Sequence, residues 1–182
     1  MDIRSKIKKY EYLIALICVF NFLLTPVHVA LFGIHPALII VINYSIVILS
    51  SSLLAKVKLA KIAAYVVGLI TLTVIWLELN NEESQIIMSC RLLFSFFLFG
   101  IFCIILFRQI QRIKKMNIQF ILGPILGFLY LGILGGILFE TTHFLDNSSF
   151  NLIEGYSGFS FYYFSFISIT TCLLYTSPSP RD

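Results

Sequence analysis

Long apolar stretches recur from one end of this chain to the other, each fenced by a small cluster of charge. They run about Tyr12 to Phe32, Ala37 to Ala55, Ile62 to Leu77, Ile86 to Phe107 and Ile118 to Phe139. Each approaches the ~20 residues that a helix rising ~1.5 Å per residue needs to cross ~30 Å of hydrocarbon. With 59% hydrophobic and 12% charged residues among 182, the chain carries more apolar surface than a globule of its size can hide. Its mean hydropathy is +0.95. Backbone groups in hydrocarbon must bond within their own segment, and the stretches lack the alternation of outer-membrane strands. They therefore read as helices, and the predicted fold class is all-α, a polytopic membrane protein with the lipid bilayer as its first partner.

The charged clusters give an orientation. Arg4, Lys6, Lys8 and Lys9 precede the first stretch, Lys56, Lys58 and Lys61 lie between the second and third, and Arg108, Arg112, Lys114 and Lys115 lie between the fourth and fifth. That places eleven of the 13 basic residues on one side. The opposite connections hold His35, then Glu78, Glu82 and Glu83, then Glu140, Asp146 and Glu154, with no Lys or Arg. The positive-inside rule then puts the N-terminus in the cytoplasm and the segment after Phe139 outside. The net charge of +4 reflects this topology rather than a nucleic-acid-binding face.

Other chemistries find little footing. Cys18, Cys90, Cys103 and Cys172 show no C-x-x-C spacing and suggest neither a disulfide framework nor a metal site. The first apolar run is longer than a signal-peptide core and lacks a small-residue cleavage site, so it reads as a retained span. Glu140 and His143 share an i, i+3 spacing but have no third ligand in the spans, and His143 reads as a solvated loop histidine. No catalytic set or phosphate loop is present, so the chain is not expected to be an enzyme and no cofactor is implied. A voltage sensor needs several arginines at every third position, whereas the fourth stretch holds only Arg91. Arg91 is expected to snorkel to the outer interface beside Glu82 or Glu83. Gly123/Gly127 and Gly132/Gly136 form two small-xxx-small pairs in the fifth stretch, and Pro124 sits near its start.

From Glu140 to Gly158 the chain turns polar and reads as an exposed outer loop. The apolar run Phe159 to Ile169 comes next. At ~1.5 Å per residue it reaches roughly 16 Å, half a bilayer, as a re-entrant helix would. Here the segment Y-F-S-F-I-S-I-T-T, Tyr163 to Thr171, resembles the pore-domain family of tetrameric potassium channels, in particular the bacterial six-span members. In that family such a segment leads into a carbonyl-lined filter of the form G-Y-G-D. The resemblance implies an outer helix from Ile118, an extracellular loop, and a pore helix made of Phe161, Tyr162, Tyr163, Phe164, Ser165, Phe166, Ile167, Ser168 and Ile169. Thr170 and Thr171 then open the ion-conducting filter, potassium is the permeant ion at Thr171, and the intact protein is a homotetramer. The aromatic face of the pore helix is expected to form a cuff around the filter.

The residues after Thr171 depart from the pattern. The next residues, Cys172, Leu173, Leu174, Tyr175 and Thr176, include no glycine, whereas the filter needs glycines, whose backbone reaches angles closed to residues with a Cβ. Residues 172 to 182, C-L-L-Y-T-S-P-S-P-R-D, look like the translation of a common sequencing-library adapter and are set aside as an artefact. The expected architecture is thus five transmembrane helices plus the short pore helix, with the sixth, inner helix missing. Residues 1–116 form a charge-poor four-helix bundle in the position of a voltage sensor, and residues 117–171 the first half of the pore domain. The implied function is that of the N-terminal part of a potassium-selective channel subunit of a bacterial inner membrane, itself non-conducting. A multi-span scaffold or small-molecule carrier is the alternative.

Overall fold

A computed structural model describes residues 3–32, 36–55, 57–80, 84–111, 118–146, 149–150 and 159–170. Among them the regular elements are helices: α1 (Ile3–Leu23), α2 (Thr25–Phe32), α3 (Pro36–Leu54), α4 (Lys58–Asn80), α5 (Gln85–Ile110), α6 (Ile118–Leu145) and α7 (Phe159–Ile169). The described part of the protein is all-helical. Stretches within α4, α5 and α6 are long and apolar enough to cross a membrane, at 21, 26 and 28 residues. The described apolar parts of α1 and α3, Tyr10–Leu23 and Leu38–Leu54, are shorter. The chain forms two compact units, Met1–Tyr130 and Leu131–Asp182, whose boundary falls within α6.

The first apolar stretch is not one helix. Pro26 lacks the N–H that would bond the Phe22 carbonyl, and the helix is interrupted between Leu23 and Thr25. The Thr25 hydroxyl donates to that carbonyl at 2.5 Å, and Asn43 Nδ2 donates in turn to Thr25 Oγ1 at 2.7 Å. In a low-dielectric interior such a substitute partner is what makes a proline break tolerable. Helical bonding resumes at once, with His28 N–H bonded to the Leu24 carbonyl at 3.0 Å.

The core of the first unit is an aromatic cluster built around α5. Its buried residues Leu92, Ser95, Leu98, Phe99, Phe102, Ile105, Leu106 and Gln109 recur every three or four positions, which puts them on one stripe. Phe99 is fully buried and meets Phe22, Tyr44, Phe102 and Tyr130 at ring-centroid separations of 5.9, 6.2, 6.1 and 6.2 Å. Its contacts are tilted or edge-on, the arrangements favoured by ring quadrupoles. Tyr130 is also buried, and its hydroxyl shares a hydrogen bond with Ser51 of α3.

Tyr12, midway along α1, donates to Gln109 Oε1 at 2.9 Å, while Gln109 Nε2 donates to the carbonyl of Leu54 at the end of α3. A Cβ on Gly123, near the start of α6, would lie 2.9 Å from Ile110 and 3.7 Å from Tyr12. The middle of α1, the beginning of α6 and the ends of α3 and α5 therefore meet, with Lys58, Lys61 and Arg108 on the same side. This is the grouping that the loop charges require.

At the other end of the α4 and α5 hairpin, Arg91 Nε lies 2.8 Å from a carboxylate oxygen of Glu78. The expected partners, Glu82 and Glu83, lie outside the described residues. Arg91 sits in the second turn of α5 and Glu78 in the last turn of α4, so a side chain snorkelling toward the helix end meets Glu78 first. Glu78→Gln leaves the guanidinium without this charged partner, and the expected cost is about 1–3 kcal/mol. Melting of the detergent-solubilised protein measures it. The Glu78→Gln/Arg91→Gln double variant should recover at least half of the loss, and strict additivity of the two single changes would refute the coupling.

Candidate functional site

The Leu131–Asp182 unit holds the candidate site: the second half of α6 and the short helix α7. The apolar run Phe159 to Ile169 is a helix with those bounds. Helix α6, however, does not stop at Phe139. It continues through Leu145, and Thr141 and Thr142 donate their hydroxyls to the carbonyls of Ile137 and Leu138 at 2.7 and 2.9 Å, satisfying themselves on their own helix. The segment read as the start of an exposed loop is thus helical, and Glu140 is buried.

Helix α7 lies antiparallel on a groove of small residues along α6. A Cβ on Gly132 would overlap the Phe166 ring, and one on Gly135 would overlap Ser165 Oγ. At Gly136 a Cβ would stand 2.9 Å from the Cα of Tyr162, a backbone atom that cannot rotate away. Further along, His143 stacks against Phe161 at 5.4 Å. As the α6 number rises from 132 to 143, the α7 number falls from 166 to 161. Gly132, Gly135, Gly136 and His143 recur at helical spacing, so a single stripe of α6 receives α7. The pair Gly132/Gly136 was legible as a close-approach motif, and with Gly135 the run Gly-x-x-Gly-Gly makes a wider small-residue face. The Gly123/Gly127 pair faces α5 instead, through Ile110 and Leu106.

The geometry fixes how far α7 reaches. Its 11 residues measure roughly 16 Å, against roughly 42 Å for the 28 residues of α6. Its last turn is level with Gly132 to Gly135, about the midpoint of α6. At that length α7 is too short to cross ~30 Å of hydrocarbon by itself.

Phe161, Tyr162 and Ser165 form the buried face of α7. Phe161 and Phe164 enter an aromatic cluster with Phe139, Phe150 and His143. Phe139 meets Phe164 at 4.9 Å, and Phe150 meets Phe161 at 5.6 Å. The expectation of a solvated loop histidine does not hold for His143. It is carried by the helical extension of α6, partly buried among rings, with Nδ1 buried and without a hydrogen-bond partner among the described residues. Ser165 Oγ is likewise buried against Gly135, without a partner among the described residues. Tyr163 is 70% exposed and Ile169 42%, so an aromatic and aliphatic face of α7 is left open within the chain. Phe166, Ile167 and Ser168 are intermediate, Ser168 bonding the Phe164 carbonyl at 2.8 Å.

At the C-terminal end of α7, the Thr170 N–H and hydroxyl both donate to the Phe166 carbonyl, at 3.0 and 2.9 Å. The hydroxyl is shared with the Ile167 carbonyl at 3.2 Å. Thr170 therefore closes the last turn, its oxygen keeping lone pairs to accept with. The last turn of α7 holds no basic residue, so nothing within it cancels the partial negative charge of the helix end. Thr171, residues 172–182, Glu154 and His35 lie outside the described residues. Among the described residues no group of three His, Cys, Asp or Glu side chains gathers as a metal site. The chain matches no family profile, no curated protein and no solved structure.

Proposed function

We propose that this chain supplies the N-terminal part of a potassium-selective channel subunit, with α6 as outer helix and α7 as pore helix. The observation that carries the reading is α7 itself: a short aromatic helix, folded back along a glycine face and ending midway along α6 in Thr170. In this reading α1 with α2, α3, α4, α5 and α6 are the five spans, the basic end is cytoplasmic, and the membrane is a bacterial inner membrane. Four subunits surround the axis, and the exposed face of α7 with Tyr163 packs in the tetramer. The negative end of each α7 and the oxygens of Thr170 and Thr171 face the axis, where oxygen ligands replace the hydration shell of a dehydrating potassium ion.

No charge-relay group or cofactor takes part, because conduction is passive. The chain prepares the site by holding α7 at a fixed depth, through the Gly136 contact and the Phe139, Phe150, Phe161 and Phe164 cluster. The test begins with the gene: reading on from codon 171 in its source should give a glycine-bearing G-Y-G segment and then about 20 apolar residues. Liposomes holding that complete subunit should pass potassium in preference to sodium, and liposomes holding the 182-residue chain should pass neither. A continuation without the glycine turn defeats the pore reading and leaves a scaffold or carrier.

A further inference from the structure

A groove of about 130 Å³ opens at the basic end of the Met1–Tyr130 unit. Ala55 at the end of α3, Ala60 of α4, and Ile101, Ile104 and Ile105 of α5 form its apolar wall, and Arg108 stands at its polar end. Ile101, Ile104, Ile105 and Arg108 come at three- and four-residue steps, so α5 presents hydrocarbon and then a guanidinium along one face. Gln109, also in the lining, is already engaged with Tyr12 and the Leu54 carbonyl. Arg108 is exposed and has no ion pair or hydrogen bond among the described residues. Lys58 and Lys61 flank Ala60 in sequence and add positive charge to the same end.

We propose that this groove is a binding site for one anionic membrane phospholipid. The volume is close to that of a dry apolar cavity able to take a benzene-sized group, ~150 Å³, so it fits a few methylenes of an acyl chain. The phosphate then meets Arg108, whose forked donors match a phosphate bidentately, and lies in the field of Lys58 and Lys61. A zwitterionic lipid can fill the hydrocarbon part but gains less from three cations. A water-soluble anion can meet Arg108 but leaves the isoleucines bare. The complementarity of both parts at once selects an amphiphile with a negative headgroup. The inference rests on the membrane character of the helices and not on the pore reading, since every residue involved belongs to the first unit.

The test uses the whole chain, delipidated in a mild detergent and titrated with phosphatidylglycerol or phosphatidylcholine, with bound lipid counted by native mass spectrometry. One phosphatidylglycerol is expected to bind about tenfold more tightly than phosphatidylcholine, as one charge-assisted contact allows. Arg108→Gln should abolish that preference and Arg108→Lys should keep part of it. Ala60→Phe, which fills the groove and leaves the charges, should weaken both lipids. Inorganic phosphate at millimolar concentration should not displace the lipid. Unchanged phosphatidylglycerol binding in Arg108→Gln or in Ala60→Phe overturns the proposal. So does displacement by phosphate, or a dimer of the delipidated chain that Ala60→Phe disrupts, which would make a second copy the occupant. A channel assay that fails leaves these outcomes untouched.

Discussion

Replacing Gly136 with Leu is expected to lift α7 off α6 while leaving the helices of the first unit folded. The added Cβ would stand 2.9 Å from the Tyr162 Cα and closer still to its ring. At Gly132 the obstacle is the end of the Phe166 side chain, which can rotate. At Gly136 it is backbone, so α7 must move as a unit. Overpacking in a fixed interface costs about 1–3 kcal/mol, and a backbone clash belongs at the top of that range, which corresponds to a shift of ~100-fold in the docked-to-undocked ratio. Ser165→Cys reports it, because position 165 is only 1% exposed. In a background with the other cysteines replaced, maleimide labelling in detergent should be slow when Gly136 is kept and about 100-fold faster once Gly136→Leu is added. Equal rates would show that α7 is not held on this face. Gly132→Leu paired with Phe166→Ala should label slowly, because the hole accepts the bump.

Replacing Gln109 with Leu should cost the first unit about 2–4 kcal/mol, since it strands two buried groups. The Tyr12 hydroxyl loses its acceptor, and the Leu54 carbonyl, at the end of α3 where no helical donor comes after it, loses its donor. Tyr12 is 1% exposed and Gln109 7%, so water does not readily replace either bond. The expected result is a fall in melting temperature on the order of 10 °C. Tyr12→Phe added to Gln109→Leu should restore part of it, because removing both partners is cheaper than orphaning one. If Gln109→Leu melts like the parent, the three helices are held by apolar packing alone.

The candidate site was partly legible. Phe159 to Ile169 stands out because a polar, glycine-bearing segment precedes it and threonines come after it, so length and hydropathy fix it as a short helix. The end of α6 was not legible. Glu140, Thr141, Thr142 and His143 look like a loop by polarity, yet each threonine bonds back to its own helix, and His143 lies among Phe150 and Phe161. The first stretch was read as one span, without weighing the break that Pro26 makes. Its repair by Thr25 and Asn43 needs a partner 18 residues away and cannot be read from a window.

By itself the sequence determined that the chain is helical and carries membrane-length apolar stretches, with its basic clusters confined to alternate connections. Hydropathy over ~20 residues and the charge of short connections are local properties, and the cost of exposing backbone or charge to hydrocarbon leaves them few solutions. Only the tertiary structure decided which residues meet: Arg91 with Glu78, Tyr12 with Gln109 across 97 residues, and Tyr162 with Gly136. Those pairings depend on the rotation and height of each helix against its neighbour, which side-chain volume and hydrogen-bond geometry set across the fold, and no stretch of chain carries them alone.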